Sequence, residues 1–165
     1  MISYRVEKMI ALIFLFLGFA IRIHDLPTIP AGFSEEEIQN LRVIQTIREG
    51  NIAVFHKVWN WGIGDLFQLV QVAVTKFVGD GLLGYRVLPL WCGMLSLALV
   101  YKFARRLFGG VVALIAMMSM CFGILPVLTS RTATEVSMVS VLVLGTLLVL
   151  SRTYYLWETI RPFQP

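Results

Sequence analysis

Apolar residues along this chain gather into long runs separated by short polar punctuation. Four runs stand out: Met9–Ile23, Val87–Ala104, Val111–Leu128 and Val136–Leu150. A helix that crosses a bilayer needs about 20 mostly apolar residues, and each run approaches that length. The first is flanked by Arg5, Glu7 and Lys8 before it and by Asp25 after it. Its uninterrupted core is short enough to admit a cleaved leader, with Gly18-Phe19-Ala20 as the cleavage triplet, but a retained anchor is the expectation. The second ends on Arg105-Arg106, the third carries Pro126 near its end, where a kink is tolerated, and the fourth closes on Arg152. Short turns, Arg105 to Gly110 and Thr129 to Thr132, join the last three runs.

The stretch from His24 to about Tyr85 is too long for a simple connection. Ser34-Glu35-Glu36-Glu37 reads as a capping box, with Ser34 as the cap and Glu37, three residues on, reaching back to its amide. Acids in a first turn also suit the positive end of the helix dipole. Ile38, Leu41, Ile44 and Ile47 then form a stripe, so this helix lies on a surface rather than spanning, and Gly50-Asn51 stops it. A second amphipathic stretch sets Leu66, Leu69, Val70, Ala73, Val74 and Phe77 against Gln68, Gln71 and Thr75. Between the two, Phe55, His56, Lys57, Trp59 and Trp61 read as an interfacial aromatic belt. The predicted fold class is an all-α membrane protein with about four transmembrane helices plus two interfacial amphipathic helices in the first extracytoplasmic loop. A single membrane domain, 1–165, divides into a first span (1–23), the outer loop (24–85), three further spans (86–152) and a cytoplasmic tail (153–165). No internal repeat or low-complexity tract interrupts it.

Composition agrees. Of 165 residues, 58% are hydrophobic and 15% charged, against about 45–50% and about 25% in a soluble domain. A water-soluble globule, a disordered chain and a nucleic-acid-binding domain are excluded as first readings. The net charge of +4 suits a membrane surface, where Lys and Arg sit beside anionic headgroups, so membrane lipid is an expected partner and nucleic acid is not. Counting Lys and Arg in the short flanks puts both termini on the cytoplasmic side of a plasma or inner membrane. Cys92 and Cys121 lie inside apolar runs and make neither a metal spacing nor a disulfide framework; they read as packing residues. Gly93, Ser96, Gly109-Gly110 and Gly145 are small enough to let helices approach closely.

Candidate chemistry concentrates at one end. Asp25, Glu35, Glu36 and Glu37 cluster just beyond the first run. A carboxylate there could take a proton from an acceptor hydroxyl or ligate a hard divalent cation; the alternative is that the glutamates cap and solvate a helix start. Arg22, Lys57, Arg86 and Arg131 belong to the same interface, where arginine either grips a lipid phosphate or snorkels to the headgroups. His24 and His56 lack a ligand partner at helical spacing, so no metal site is assigned to them. No Ser-His-Asp arrangement, phosphate loop or nucleotide fingerprint is present. The spans carry almost no ionisable residue away from their ends, which disfavours a transporter.

The order of these features resembles the start of membrane glycosyltransferases with the C-type fold, the protein O-mannosyltransferases and the bacterial lipid A aminoarabinose transferases in particular. The resemblance is carried by Arg22-Ile23-His24-Asp25-Leu26-Pro27, by Ile29-Pro30-Ala31-Gly32-Phe33 followed by Glu36-Glu37, and by Tyr85-Arg86-Val87-Leu88-Pro89 at the second span. Ala104-Arg105-Arg106-Leu107-Phe108-Gly109 and Ser130-Arg131-Thr132 fit the next loops, so it covers roughly residues 8 to 152. It implies a polyprenyl-phosphate-linked sugar donor and transfer on the extracytoplasmic face. Glu36, with Glu37 beside it, then falls on the family's catalytic acid, and Arg86 and Arg131 become the candidates for the donor phosphate. No cofactor is assigned beyond an optional divalent metal. Two departures stand out: Glu36 occupies a position where the family has Asp, and Trp61-Gly62-Ile63-Gly64 replaces a His-Pro-Pro-like lead-in.

Family enzymes have many more spans than four, and the later ones help to enclose donor and acceptor. Catalysis is therefore expected of a longer chain of which these residues form the N-terminal region, and not of 165 residues alone. The alternative is a short non-catalytic accessory subunit of a larger membrane protein complex, derived from such an enzyme.

Overall fold

A computed structural model describes residues 3–26, 28–50 and 63–160. Its described residues form α1 (Tyr4–Ile23), α2 (Glu35–Arg48), α3 (Ile63–Val78), α4 (Leu82–Phe108), α5 (Gly110–Phe122), α6 (Ile124–Thr129) and α7 (Val136–Ile160), with no strand among them. The all-α class predicted above is the class observed. Two helices, Leu82–Phe108 and Val136–Tyr154, are long and apolar enough to cross a membrane by length and composition. The predicted aromatic belt, 55–61, the Pro27 of the Arg22–Pro27 stretch and the chain beyond 160 lie outside the described residues.

α4 is the axis, packing against α1, α3, α5 and α7. Its N-terminal half carries Pro89, which has no amide hydrogen to give the carbonyl of Tyr85 four residues earlier. The buried side chain of Gln71 on α3 supplies the missing donor, its Nε2 lying 2.9 Å from that carbonyl and 3.2 Å from that of Gly84. α4 ends at Gly109, whose φ of +87° lets the chain reverse on one residue into α5. The tight reversal sets α4 and α5 side by side against α1, where Ala11, Leu97, Leu114, Met117 and Cys121 form a buried cluster. Glycines bring the helices close: a methyl group on Gly93 would lie 2.4 Å from Ser130 Cβ, and one on Gly18 would lie 2.8 Å from Leu97. Gly145, by contrast, faces open space. Both cysteines are free and buried, in line with a packing role.

Two expectations change. The third apolar run is two helices and not one: the chain breaks at Gly123, and Pro126 occupies the first turn of α6. A proline in a continuous helix would clash with the carbonyl four residues back, whereas a first turn has no use for its missing N–H. The last helix does not stop near Leu150 but continues to Ile160 through the stretch expected to be a tail. The packing of α3 adds what the stripes left open, namely which face turns inward. Gln68, Gln71 and Thr75 are buried against the protein, while Leu66, Leu69 and Phe77 face outward, Phe77 at 91% exposure. In water this would invert the usual order; in a bilayer the apolar face meets lipid and the polar face finds hydrogen bonds inside.

The close approach at Gly93 gives a direct test. Gly93→Ala should cost about 1–3 kcal/mol by overpacking, whereas Gly145→Ala should be neutral or slightly stabilising through helix propensity. Melting temperatures of the two variants in detergent would show it.

Candidate functional site

The described residues between α1 and α2, 24–26 and 28–34, contain no helix, and several of their carbonyls are hydrogen-bonded. Asp25 sits at φ +49°, a conformation tolerated by Asp, and its carbonyl accepts from the amides of Thr28 and Ile29. The other carbonyls are met by two arginines from distant parts of the chain. Arg86, in the first turns of α4 and fully buried, donates from Nη1 to Leu26 (2.9 Å) and Pro30 (3.1 Å) and from Nη2 to Gly32 (2.6 Å). Arg131, in the turn between α6 and α7, donates from Nε to Ile29 (3.1 Å), from Nη1 to Ile21 (3.0 Å) and from Nη2 to His24 (2.5 Å). Burial pulls the Arg131 guanidinium below its ordinary pKa and the Arg86 charge adds to this, while Asp25 acts in the opposite direction.

Glu37 is the centre of the arrangement. The predicted capping box is present: the Ser34 amide donates to Glu37 Oε2 at 2.9 Å, and the Glu37 amide donates to Ser34 Oγ at 3.3 Å. The other carboxylate oxygen, Oε1, accepts from the amide of Ala133 at 2.7 Å and lies 3.6 Å from Arg86 Nε. Both Glu37 and Arg86 have side chains sealed from solvent. Asn40, one turn along α2, donates to the Ala133 carbonyl (3.2 Å) and accepts from Gln68 of α3 (3.3 Å), so α2, α3 and the 131–135 turn are stitched together. Beneath them Ile44, Tyr85 and Ala133 form a second buried cluster.

Of the residues singled out in the sequence, Glu37 and Arg86 are therefore in contact, and Arg131 binds the same segment as Arg86. Glu36 is not part of this network; it is exposed on the first turn of α2, as Glu35 is. Asp25 pairs with the neighbouring His24 at 3.3 Å when that histidine is protonated. An open cleft of about 820 Å³ between α2 and the start of α4 is lined by Phe33, Leu41, Gln45, Arg48, Asp80 and Tyr85, with Arg48 paired to Asp80. No group of three His, Cys, Asp or Glu converges among the described residues.

Two charged residues carry more than the sequence suggested. Arg22, expected at the interface, is almost fully buried, its Nη2 donating to the carbonyl of Met120 at 2.9 Å. That carbonyl lies in the last turn of α5, left without a helical partner by the break at Gly123. Glu7, expected as a flanking charge, is buried too, accepting from Tyr101 at 2.8 Å and from Arg105 Nε at 2.6 Å. The signal for the first was present in Gly123 and Pro126, which announce unpaired carbonyls; for the second the sequence offers only the small residues Gly109-Gly110 opposite.

The two neighbouring glutamates should separate in a stability measurement. Glu37→Gln has one acceptor oxygen for two amides and leaves Arg86 without its carboxylate; removal of one partner of a buried pair costs about 3–5 kcal/mol. Glu36→Gln should stay within about 0.5 kcal/mol of the parent. Thermal melting of both variants in the same detergent checks this.

The family model for dolichyl-phosphate-mannose-protein mannosyltransferase matches residues 66–161. No curated protein and no solved structure matches the chain. The matched stretch runs from α3 to the end of α7 and holds Arg86 and Arg131, whereas Glu36 and Glu37 precede it. It spans more than half of the sequence, and with the all-α architecture it makes this membrane protein a member of the dolichyl-phosphate-mannose-protein mannosyltransferase family.

Proposed function

We propose that this chain forms the N-terminal region of a glycosyltransferase that takes a sugar from a polyprenyl phosphate on the extracytoplasmic face, with Glu36 as the base that receives the acceptor's proton. The observation that carries the reading is the division of labour on α2. Glu37 has both oxygens bound in a sealed site, so it holds the helix start, while Glu36, one residue earlier and about 100° around the helix, is free in solvent. The acceptor hydroxyl gives its proton to the Glu36 carboxylate as its oxygen bonds to the anomeric carbon. The bond from that carbon to the phosphate oxygen breaks, and the lipid phosphate leaves with the electron pair.

The arginines divide in the same way. Arg86 donates from both terminal nitrogens to the carbonyls, has its Nε 3.6 Å from Glu37 without a hydrogen bond, and has no exposed surface, so it positions the segment. Arg131 makes three hydrogen bonds as Arg86 does, but it keeps 6% exposure against none for Arg86, which makes it the better of the two for a donor phosphate. In the complete enzyme, Glu36→Gln should lower transfer from the lipid-linked sugar by about 10²–10⁴-fold, the usual worth of a general base, with unaltered melting, and Glu36→Asp should retain part of the activity. Undiminished transfer by Glu36→Gln would remove the residue from the mechanism.

A second reading, a non-catalytic accessory subunit of a larger membrane complex, is favoured by one observation. Only 6% of the most apolar stretch of α7 is buried, against 39% of that of α4, so α7 has a whole side available to another protein. Under this reading extraction in mild detergent yields a stoichiometric partner; a stable lone monomer would overturn it.

A further inference from the structure

At the end of the bundle remote from Glu36, the N-terminus of α1, the C-terminus of α4 and the Leu148–Arg152 turn of α7 enclose an open pocket of about 710 Å³. Its walls carry Tyr4, Lys8, Lys102, Arg105, Arg106 and Arg152. We propose that this pocket is a binding site for the headgroup of an anionic phospholipid.

Membrane orientation alone would scatter basic residues along the flanks of the helices. Here five come from three different helices and converge on one concavity. The neighbouring acid, Glu7, is already engaged by Tyr101 and Arg105, and it fits because Gly110 has no side chain; a methyl group there would lie 2.6 Å from the carboxylate. Two of the cations are held in place before any ligand arrives. The Lys8 ammonium lies 4.2 Å and the Arg105 guanidinium 4.7 Å from the centre of the Tyr4 ring. Among the described residues Lys102 and Arg152 meet no acid. Such a group of like charges is favoured when an anion neutralises it.

The lipid, and not a free anion, is indicated by what borders the pocket. Leu148 lines it, and Leu107, Val111 and Leu150 are each at least half exposed on the adjoining helices. The helices that supply Lys102, Arg105, Arg106 and Arg152 are the two long and apolar enough to cross a bilayer, which puts their ends at headgroup depth. A diacyl phosphate with a second anionic or hydroxylated group would thus place its charge among the cations and its chains along α4 and α7.

The test is native mass spectrometry of the purified full chain titrated with phosphatidylglycerol, with phosphatidylethanolamine of the same acyl composition, and with phosphatidylglycerol in the presence of inorganic phosphate. The expected result is a preference for phosphatidylglycerol of about tenfold, unmoved by equimolar phosphate. It should fall by about threefold for each cation removed in Lys102→Gln and Arg152→Gln and be lost in the double variant. Equal binding of the two lipids by the parent protein overturns the proposal without reference to any variant. So does an undiminished preference in the double variant, or displacement of the lipid by phosphate alone, which would make the pocket a simple anion site.

Discussion

The architecture at the candidate site depends on guanidinium groups that satisfy backbone carbonyls. The described residues between α1 and α2 make no helix, so their carbonyls lack the partners a helix would give them. A buried carbonyl left unpaired costs about 1–3 kcal/mol, and Arg86 and Arg131 between them serve six, those of Ile21, His24, Leu26, Ile29, Pro30 and Gly32. Lysine could not replace either residue. Its ammonium is a point charge, whereas the planar fork reaches several acceptors at fixed angles. Glu37 then sits 3.6 Å from Arg86, offsetting part of the charge that this arrangement buries. The helix that bears Glu36 is thereby fixed to the start of α4 and to the α6–α7 turn.

The same logic of orphaned carbonyls recurs wherever a helix is interrupted. Pro89 removes one donor, and Gln71 restores it from a neighbouring helix. The break at Gly123 frees the carbonyl of Met120, and Arg22 reaches it across the core. In each case a polar residue on an otherwise apolar helix is explained by a defect in another helix. Gln71 and Arg22 are thus placed opposite irregularities in neighbouring helices.

That is also why the sequence was readable in some places and misleading in others. Local rules worked where the partners are near in the chain: Ser34 and Glu37 are three residues apart, and the capping box they form was legible from spacing alone. The end of α2 followed from Gly50, whose φ is +80°, and the apolar runs followed from bilayer thickness. Patterns left open what the surrounding solvent decides. The stripes on α3 were correctly identified, but which stripe faces inward depends on whether the outside is water or hydrocarbon, and the periodicity is the same for both. The contact of Glu37 with Ala133, almost a hundred residues away, and of Glu7 with Arg105 is set by the packing of α1, α2 and α4, which no local pattern encodes.

The pair of adjacent glutamates lies between these cases. Side-chain chemistry does not distinguish Glu36 from Glu37, and a resemblance that points to an acidic pair does not either. Helix geometry does. A capping box consumes the acid at the third helical position, which is Glu37, by directing its carboxylate back toward Ser34 and into the bundle. Successive residues on a helix point about 100° apart, so the acid at the second position must project elsewhere, and Glu36 is exposed. The longer side chain of Glu relative to Asp then matters differently at the two places. At position 37 the extra methylene lets one carboxylate span both the Ser34 and the Ala133 amides; at position 36 it carries the free carboxylate farther from the helix.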